Sequence, residues 1–427
     1  MAVLTQAERR KKLGDVFRVA SGNFLEQYDF FVYAYYATYI GQAFFPSDDA
    51  FASQMASFAT FAVGFFMRPL GAIILGSYLD RKGRRQGLIV TLAMMAIGTL
   101  TIAITPTYAQ IGVGAPIIIV VGRLLQGFSA GVELGGVSIY LAEIATPGNR
   151  GFYTSWQSGS QQIAVIFAAL IGVAVTSSLA PAQMAAWGWR VPLLIGCAII
   201  PLIFWLRKSL TETDAFHKID HVRTATEVFK IVGQNWVLIL IGVAMSVLTT
   251  TTFYLITAYT PTFGRVALKL DATGVLIVTL CVGFANFIWL PIGGAISDRI
   301  GRYPLLLLIP VLAIVSAYPA MLWLVAAPSF GKLLAVVMLF SAYFGLYNGA
   351  MIPLLAEIMP ARVRTAGFSL AFSLATALFG GVTPLVSTYL IKETGDRASP
   401  ALWLSFAAVV SLVGVLASRR RVVQSTM

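Results

Sequence analysis

The chain has 427 residues, 58% of them hydrophobic and 11% charged, with a mean hydropathy of +0.81. A soluble domain carries about 25% charged residues, so this composition excludes a water-soluble globular protein and makes lipid the solvent. The net charge of +12, which on a soluble protein would point to nucleic acid, fits instead the Lys/Arg excess of loops on the inner side of a membrane. Apolar runs of about 20 residues match helices crossing ~30 Å of hydrocarbon. They lack the short alternating pattern of a β-barrel.

The N-terminal segment carries Arg9, Arg10, Lys11 and Lys12 with no cleavage pattern after it, which places it in the cytoplasm rather than in a signal peptide. The first predicted span, 17–45, has Asn23, Glu26 and Asp29 at i, i+3 spacing, on one side of the helix. The second, 53–79, contains Arg68 and Pro69 and closes on a charged turn, Gly76-Ser-Tyr-Leu-Asp80-Arg81-Lys-Gly83-Arg84. The third covers 88–105. The fourth, 114–142, sets Arg123, Gln126 and Glu133 along one stripe beside the small Gly127 and Ala130, and Glu143 follows it. The fifth, 155–179, holds Gln157, Gln161 and Gln162. Trp187 and Trp189 stand before the sixth, 190–208, as expected interface anchors.

A hydrophilic stretch, 209–235, contains both histidines, His217 and His221, and reads as a solvated linker helix rather than a metal site. The seventh span, 236–263, carries Thr249 to Thr252, Tyr254 and Tyr259. The eighth, 272–296, has Asn286 and ends in a second charged turn, Gly294-Ala-Ile-Ser-Asp298-Arg299-Ile-Gly301-Arg302. The ninth is 304–326. The tenth, 333–357, carries Tyr343, Tyr347 and Asn348 and ends at Glu357. Spans eleven and twelve are 366–391 and 400–418. Pro69, Pro261, Pro291 and Pro353 are expected to bend helices where neighbours satisfy the freed carbonyls. Cys197 and Cys281 lie inside apolar runs and read as small buried hydrophobes.

The charged turn therefore occurs twice, 218 residues apart, in the form Gly-x-x-x-Asp-Arg-x-Gly-Arg. Glu143 and Glu357 repeat at a similar offset of 214. Two repeated six-helix halves, 1–208 and 236–427, joined by the linker 209–235, are the plan of secondary transporters. Of the 30 Lys and Arg, 22 fall in segments that this topology places inside, six in outer loops and two, Arg68 and Arg123, within spans. That bias orients both termini to the cytoplasm. No paired histidines, nucleophile elbow or metal-ligand cluster occurs in the spans, so an enzyme is not expected.

Ionisable groups inside spans are costly and are functional candidates by default. Glu26, Asp29 and Glu133 are candidate proton carriers facing Arg68 and Arg123. Glu26 and Glu133 serve equally as helix–helix hydrogen-bonding groups, and Arg68 as a substrate contact or as a structural arginine tied to a first-half acid. Asn23, Arg68, Arg123, Gln126, Gln162, Tyr347 and Asn348 are the candidate substrate contacts. Asp80, Arg81, Arg84, Glu143, Asp298, Arg299, Arg302 and Glu357 sit at cytoplasmic ends, where paired charges would latch one state of a rocking bundle.

The paired charged turns resemble the signature loops of the major facilitator superfamily, and Gly122-Arg123-Leu-Leu-Gln126-Gly127 resembles its fourth-span motif. The first-span run from Ser21 to Phe30 and Met67-Arg68-Pro69-Leu70-Gly71 look like the metabolite:proton symporter branch. Within it, Gln126 to Glu133 and Tyr153 to Ser158 look most like citrate–proton symporters, with tricarballylate carriers near. The resemblance implies an all-α fold of twelve transmembrane helices in two pseudo-symmetric halves. It implies a multi-pass monomer in a bacterial inner membrane, importing a small citrate-like anion with protons and no cofactor. The same acids would serve sodium coupling. Another metabolite (tricarballylate, a dicarboxylate, shikimate or a betaine) and a non-transporting sensor are the alternatives. The resemblance also implies a couple between Asp29 and Arg123, in which protonation of Asp29 frees Arg123 for the anion.

Overall fold

The computed structural model describes residues 23–82, 84–131, 148–208, 233–359 and 364–426, with isolated residues at 138, 141, 142, 145 and 227. Among these residues the structure is helical, with no strand. Eight helices are long and apolar enough to cross a membrane, and a ninth if the bent pair Pro181–Gly188 and Arg190–Pro201 is counted as one span. Two shorter apolar helices, Ile89–Ile104 and Gly114–Ala130, supply spans three and four. Asn23–Tyr35 and Ala37–Phe44 together supply span one. Each of the twelve expected spans thus has a helix.

Several helices extend beyond the hydropathy limits. Span five runs Arg150–Ser178, span eight Ala272–Ile300 and span ten Phe330–Ile358. Spans two and seven are broken where their prolines sit. Span two divides at Met67 into Ala50–Phe66 and Arg68–Lys82, so that Pro69 falls in a first turn that needs no N–H. In span seven, Pro261 lies in the short turn Thr260–Thr262 between two π-helical turns, Leu255–Tyr259 and Phe263–Ala267. Pro291 and Pro353 remain inside continuous helices.

Burial runs in the sense lipid requires. Large aliphatics such as Ile104, Val315 and Val413 point outward, while Gln157, Gln162, Asn286 and Asn348 are buried. With hydrocarbon outside, helices associate through close backbone approach and interhelical hydrogen bonds. Gly127 of span four shows the first device. A Cβ there would collide with the Gly64 carbonyl of span two, so the two backbones touch and Arg68 and Arg123 are drawn toward one point. Trp189 departs from expectation. It is fully buried, edge-on to Phe44 at 5.6 Å, whereas Trp187 is half exposed as an anchor should be. The large indole fills the angle where span six bends, and burial there outweighs an interfacial position.

Candidate functional site

The site begins at Phe30. The guanidinium carbons of Arg68 and Arg123 both lie over its ring, 4.6 and 4.3 Å from the centroid. Phe65 also faces Arg68, and Tyr33 and Phe61 face Arg123. Aromatic faces stabilise desolvated cations by about 2 kcal/mol or more, which offsets part of the cost of burying two arginines at 1% and 0% exposure. Arg68 Nη2 pairs with Glu26 Oε1 at 3.3 Å. Arg68 is therefore tied to a first-half acid, one of the two roles expected for it.

Asp29 and Arg123 do not touch. Two neutral side chains stand between them. Arg123 Nη1 donates to Gln126 Oε1 at 2.8 Å, Gln126 Nε2 donates to Thr99 Oγ1 at 3.0 Å, and Thr99 Oγ1 donates to Asp29 Oδ2. The expected direct couple is thus corrected, in this conformation, to a relay through Gln126 and Thr99. The reason is geometric. Arg123 is drawn to the Phe30, Tyr33 and Phe61 rings, and Asp29 faces spans three and six. The second oxygen, Asp29 Oδ1, has no hydrogen-bond partner among the described residues and packs on Gly196, where a Cβ would stand 2.8 Å away.

A central cavity of about 20 Å³ lies between first-half and second-half spans. It has room for about one water molecule. Gln27, Arg68, Ser158 and Gln161 line one side, and Thr249, Thr250, Tyr254, Phe344, Asn348 and Thr376 the other. Among the described residues Arg68 is the one charged side chain lining it. Asp29, Glu26, Arg123 and Gln126 sit behind this wall. Asn348 crosses the cavity, donating to Ser158 Oγ at 2.9 Å and accepting from Thr249 Oγ1 at 3.1 Å.

Like Arg123 and Gln126, two further expected contacts do not line the cavity. Gln162 accepts from Asn286 Nδ2 at 3.1 Å and bonds its own helix at Ser158, so it joins span five to span eight. The Tyr347 hydroxyl donates to the Met245 carbonyl at 2.8 Å and holds span ten to span seven. Both are interhelical ties, and neither lines the cavity. Their helical phase turns them away by one residue position, leaving Gln161 and Asn348 to face inward.

At one end of the bundle the second charged turn grips span five. Gly294 and Gly151 are in backbone contact; a Cβ on Gly151 would stand 2.6 Å from the Gly294 oxygen. One turn further along the same face, Asp298 accepts from the Gly151 and Phe152 N–H groups at 2.9 and 3.0 Å. These N–H groups, in the first turn of Arg150–Ser178, have no intrahelical acceptor, and the helix dipole favours a carboxylate there. Arg302 pairs with Asp298 at 2.6 Å and with Glu357 at 3.3 Å. Arg299 is exposed beside them. At the opposite end, Lys392 pairs with Asp49 at 2.8 Å, Arg265 lies over Tyr39, and Phe58 meets Tyr259 edge-on. Contacts between first-half and second-half residues therefore bridge both ends.

Glu133 and Glu143 lie outside the described residues, as do the side chains of Asn23, Asp80, Arg81 and Arg84; Asp80 and Arg81 are in the helix Arg68–Lys82, and Arg84 opens Arg84–Ile104. Thr99, Phe30 and Gln27 escaped sequence reasoning. A threonine in an apolar span gives no signal by itself. The position of Gln27 beside Glu26 does mark a polar face wide enough to reach a cavity.

A family model described as the Major Facilitator Superfamily matches residues 19–384. The chain is 58% identical over 413 residues to a citrate-proton symporter of Salmonella typhi, covering 96% of this chain and 95% of that protein. It is 55% identical to a citrate-proton symporter of Klebsiella pneumoniae, over 96% and 92% of the two chains. Its fold is similar to the crystal structure of a D-xylose-proton symporter, with a TM-score of 0.75, 18% identity, and 95% and 97% coverage.

Proposed function

The chain belongs to the Major Facilitator Superfamily, and from that premise we propose that it is a proton-coupled importer of citrate or a similar tricarboxylate, working by alternating access in a bacterial inner membrane. The observation that carries the reading is Arg68, a buried cation that lines a polar cavity between first-half and second-half spans and is held by a buried acid, Glu26. An anion entering the cavity meets Arg68 first, and the 55–58% identical relatives are named for citrate and protons.

Coupling follows from charge. Importing a trianion against 100 mV, inside negative, costs about 7 kcal/mol at ~2.3 kcal/mol per charge. Protons carried inward with it offset that cost. Glu26 and Asp29 are the described acids placed to carry them. A proton on Glu26 removes the charge that holds Arg68, freeing the guanidinium for a substrate carboxylate. A proton on Asp29 acts on Arg123 through Thr99 and Gln126. Proton and anion then favour each other's binding by the same coupling free energy.

The cavity in this conformation is far smaller than a tricarboxylate, and both ends are bridged. We read it as closed. Loading requires the halves 1–208 and 236–427, joined by 209–235, to part at one end while the other stays latched. Both termini are placed in the cytoplasm by the Lys/Arg bias, and the carrier acts as a monomer.

The test is uptake of labelled citrate by proteoliposomes under an imposed pH gradient, with and without sodium, competed by tricarballylate, isocitrate and α-ketoglutarate. Accumulation should follow the pH gradient and ignore sodium. Citrate uptake indifferent to the pH gradient rejects proton coupling, and binding without accumulation identifies a sensor.

A further inference from the structure

The relay between Asp29 and Arg123 contains a group whose orientation is not free. An arginine side chain is donor-only, so the amide oxygen of Gln126 must face Arg123 at 2.8 Å. That fixes the other end of the amide, whose nitrogen donates to Thr99 Oγ1 at 3.0 Å. One lone pair of the Thr99 oxygen is thereby occupied. A threonine hydroxyl has a single hydrogen, and two acceptors lie within its reach: Asp29 Oδ2 and the Met95 carbonyl oxygen, the latter at 3.0 Å.

We propose that Thr99 is a positioning residue whose hydroxyl turns between Asp29 and the Met95 carbonyl as Asp29 releases and takes up the coupling proton. With Asp29 ionised, the Thr99 hydrogen points to the carboxylate. When water delivers a proton to Asp29 Oδ2, the new O–H donates to the remaining lone pair of Thr99, and the Thr99 hydrogen rotates to Met95. Release reverses both steps and returns the proton to water. Each relay atom keeps a partner in both states, which matters because an orphaned polar group is most costly in a dry interior. The Gln126 amide holds its orientation throughout, so the charge change at Asp29 reaches Arg123 across a fixed bridge.

The surroundings leave this hydroxyl as the group that answers Asp29. Thr99 and Met95 face it from span three, and Arg123 acts from span four through Gln126. Gly196 and Cys197 face it from span six, and Tyr28 and Glu26 share its own helix, with Arg68 of span two beyond Phe30. Among the described residues, no other side chain is hydrogen-bonded to Asp29.

This inference rests on the reading of Asp29 as a proton-coupling acid, and the experiment separates the two. Labelled citrate uptake is measured in proteoliposomes against pH for the full-length protein and for Thr99→Val, Thr99→Ser and Asp29→Asn. Each curve is referenced to Asp29→Asn exchange at the same pH, which cancels the titration of citrate itself. Valine keeps the shape and removes the hydroxyl, so the ionised carboxylate loses its donor and holds its proton to higher pH. The profile of Thr99→Val should move upward by roughly one pH unit or more, and Thr99→Ser should restore the wild-type profile. A Thr99→Val profile like wild type, with accumulation lost in Asp29→Asn, overturns the role of Thr99 and leaves Asp29 in place. Normal accumulation by Asp29→Asn overturns the reading of Asp29. Should Thr99→Val fail to fold, infrared difference spectra of the wild type between acidic and alkaline samples decide. The acid carbonyl band that Asp29→Asn removes should lie where a hydrogen-bonded acid absorbs; a band at the position of an unbonded acid refutes the proposal.

Discussion

Arg68 and Glu26 meet at 3.3 Å with both side chains at 2% exposure or less, and the guanidinium is also the charged group on the cavity wall. One arginine is thus shared between an acid behind the wall and the space where an anion would bind. Under the proposed function, the sharing makes the pair a switch rather than a brace. A buried pair adds little net stability, because desolvation cancels most of the Coulomb gain.

The cost of breaking it is another matter. Glu26→Gln leaves Arg68 buried beside a neutral amide, and removing one partner of a buried pair typically costs about 3–5 kcal/mol. Citrate carboxylates would supply the missing charge. The variant should therefore melt well below wild type in detergent and recover much of the loss when citrate is added. A melting temperature that citrate leaves unmoved in the variant would argue against Arg68 as its contact.

Gln162 and Asn348 separate glue from contact. Gln162→Leu removes the acceptor of Asn286 Nδ2, and interhelical bonds of this kind are worth about 0.6–2 kcal/mol. The expected outcome is a modest fall in melting temperature with KM for citrate unchanged. Asn348→Leu removes a cavity-lining group bonded to Ser158 and Thr249, and KM should rise severalfold. Uptake kinetics on both variants check the contrast.

Much of this architecture was legible from apolar runs and from the twice-occurring turn, because lipid permits few alternatives to a helix. Arg68 and Glu26 stood out as charges where charge is costly. What stayed hidden was phase. Gln161 and Gln162 are adjacent in the chain and chemically alike, and only packing decides which faces the cavity. The same limit applied to Asp29 and Arg123. Their presence on facing helices was readable, but the insertion of Thr99 from a third span depends on how close Gly98 and Gly122 bring spans three and four.

The spacing Gly-x-x-x-Asp in the second charged turn has a mechanical meaning that predicts its own failure. Gly294 admits the span-five backbone, and Asp298, four residues on, bonds the two N–H groups exposed at its start. Asp298→Ala removes both acceptors and leaves Arg302 with Glu357 and the Ser297 hydroxyl. The end should open more often. With Cys197 and Cys281 replaced by serine, a cysteine at Thr154, buried one turn inward, should react about tenfold faster with a soluble thiol reagent; a loss of about 1.4 kcal/mol from the closed state would suffice, within the range of a single charged hydrogen bond. An unchanged rate means that the latch is ornamental to this equilibrium.

The opposite end is held differently, and pH tests whether its ion pair contributes. Asp49 lies in the loop before span two, where the hydrogen bond from Lys392, and then the Phe51 N–H, hold its carboxyl below the usual carboxylate range. A depressed value means that the pair's contribution is present above the ordinary carboxylate range and is lost as pH falls through the lowered one. Both partners are well exposed at 48% and 40%, so solvent screens the pair and its contribution is small. Asp49→Asn should therefore match wild type in melting temperature at neutral pH, with the curves also coincident in acid. If the variant melts measurably lower at neutral pH and that difference vanishes in acid, the ion pair is a true outer latch. Coincident curves leave closure of this end to the aromatic contact of Phe58 with Tyr259. Phe58→Ala should then loosen this end, and the fall in melting temperature should be the same at neutral and at acid pH.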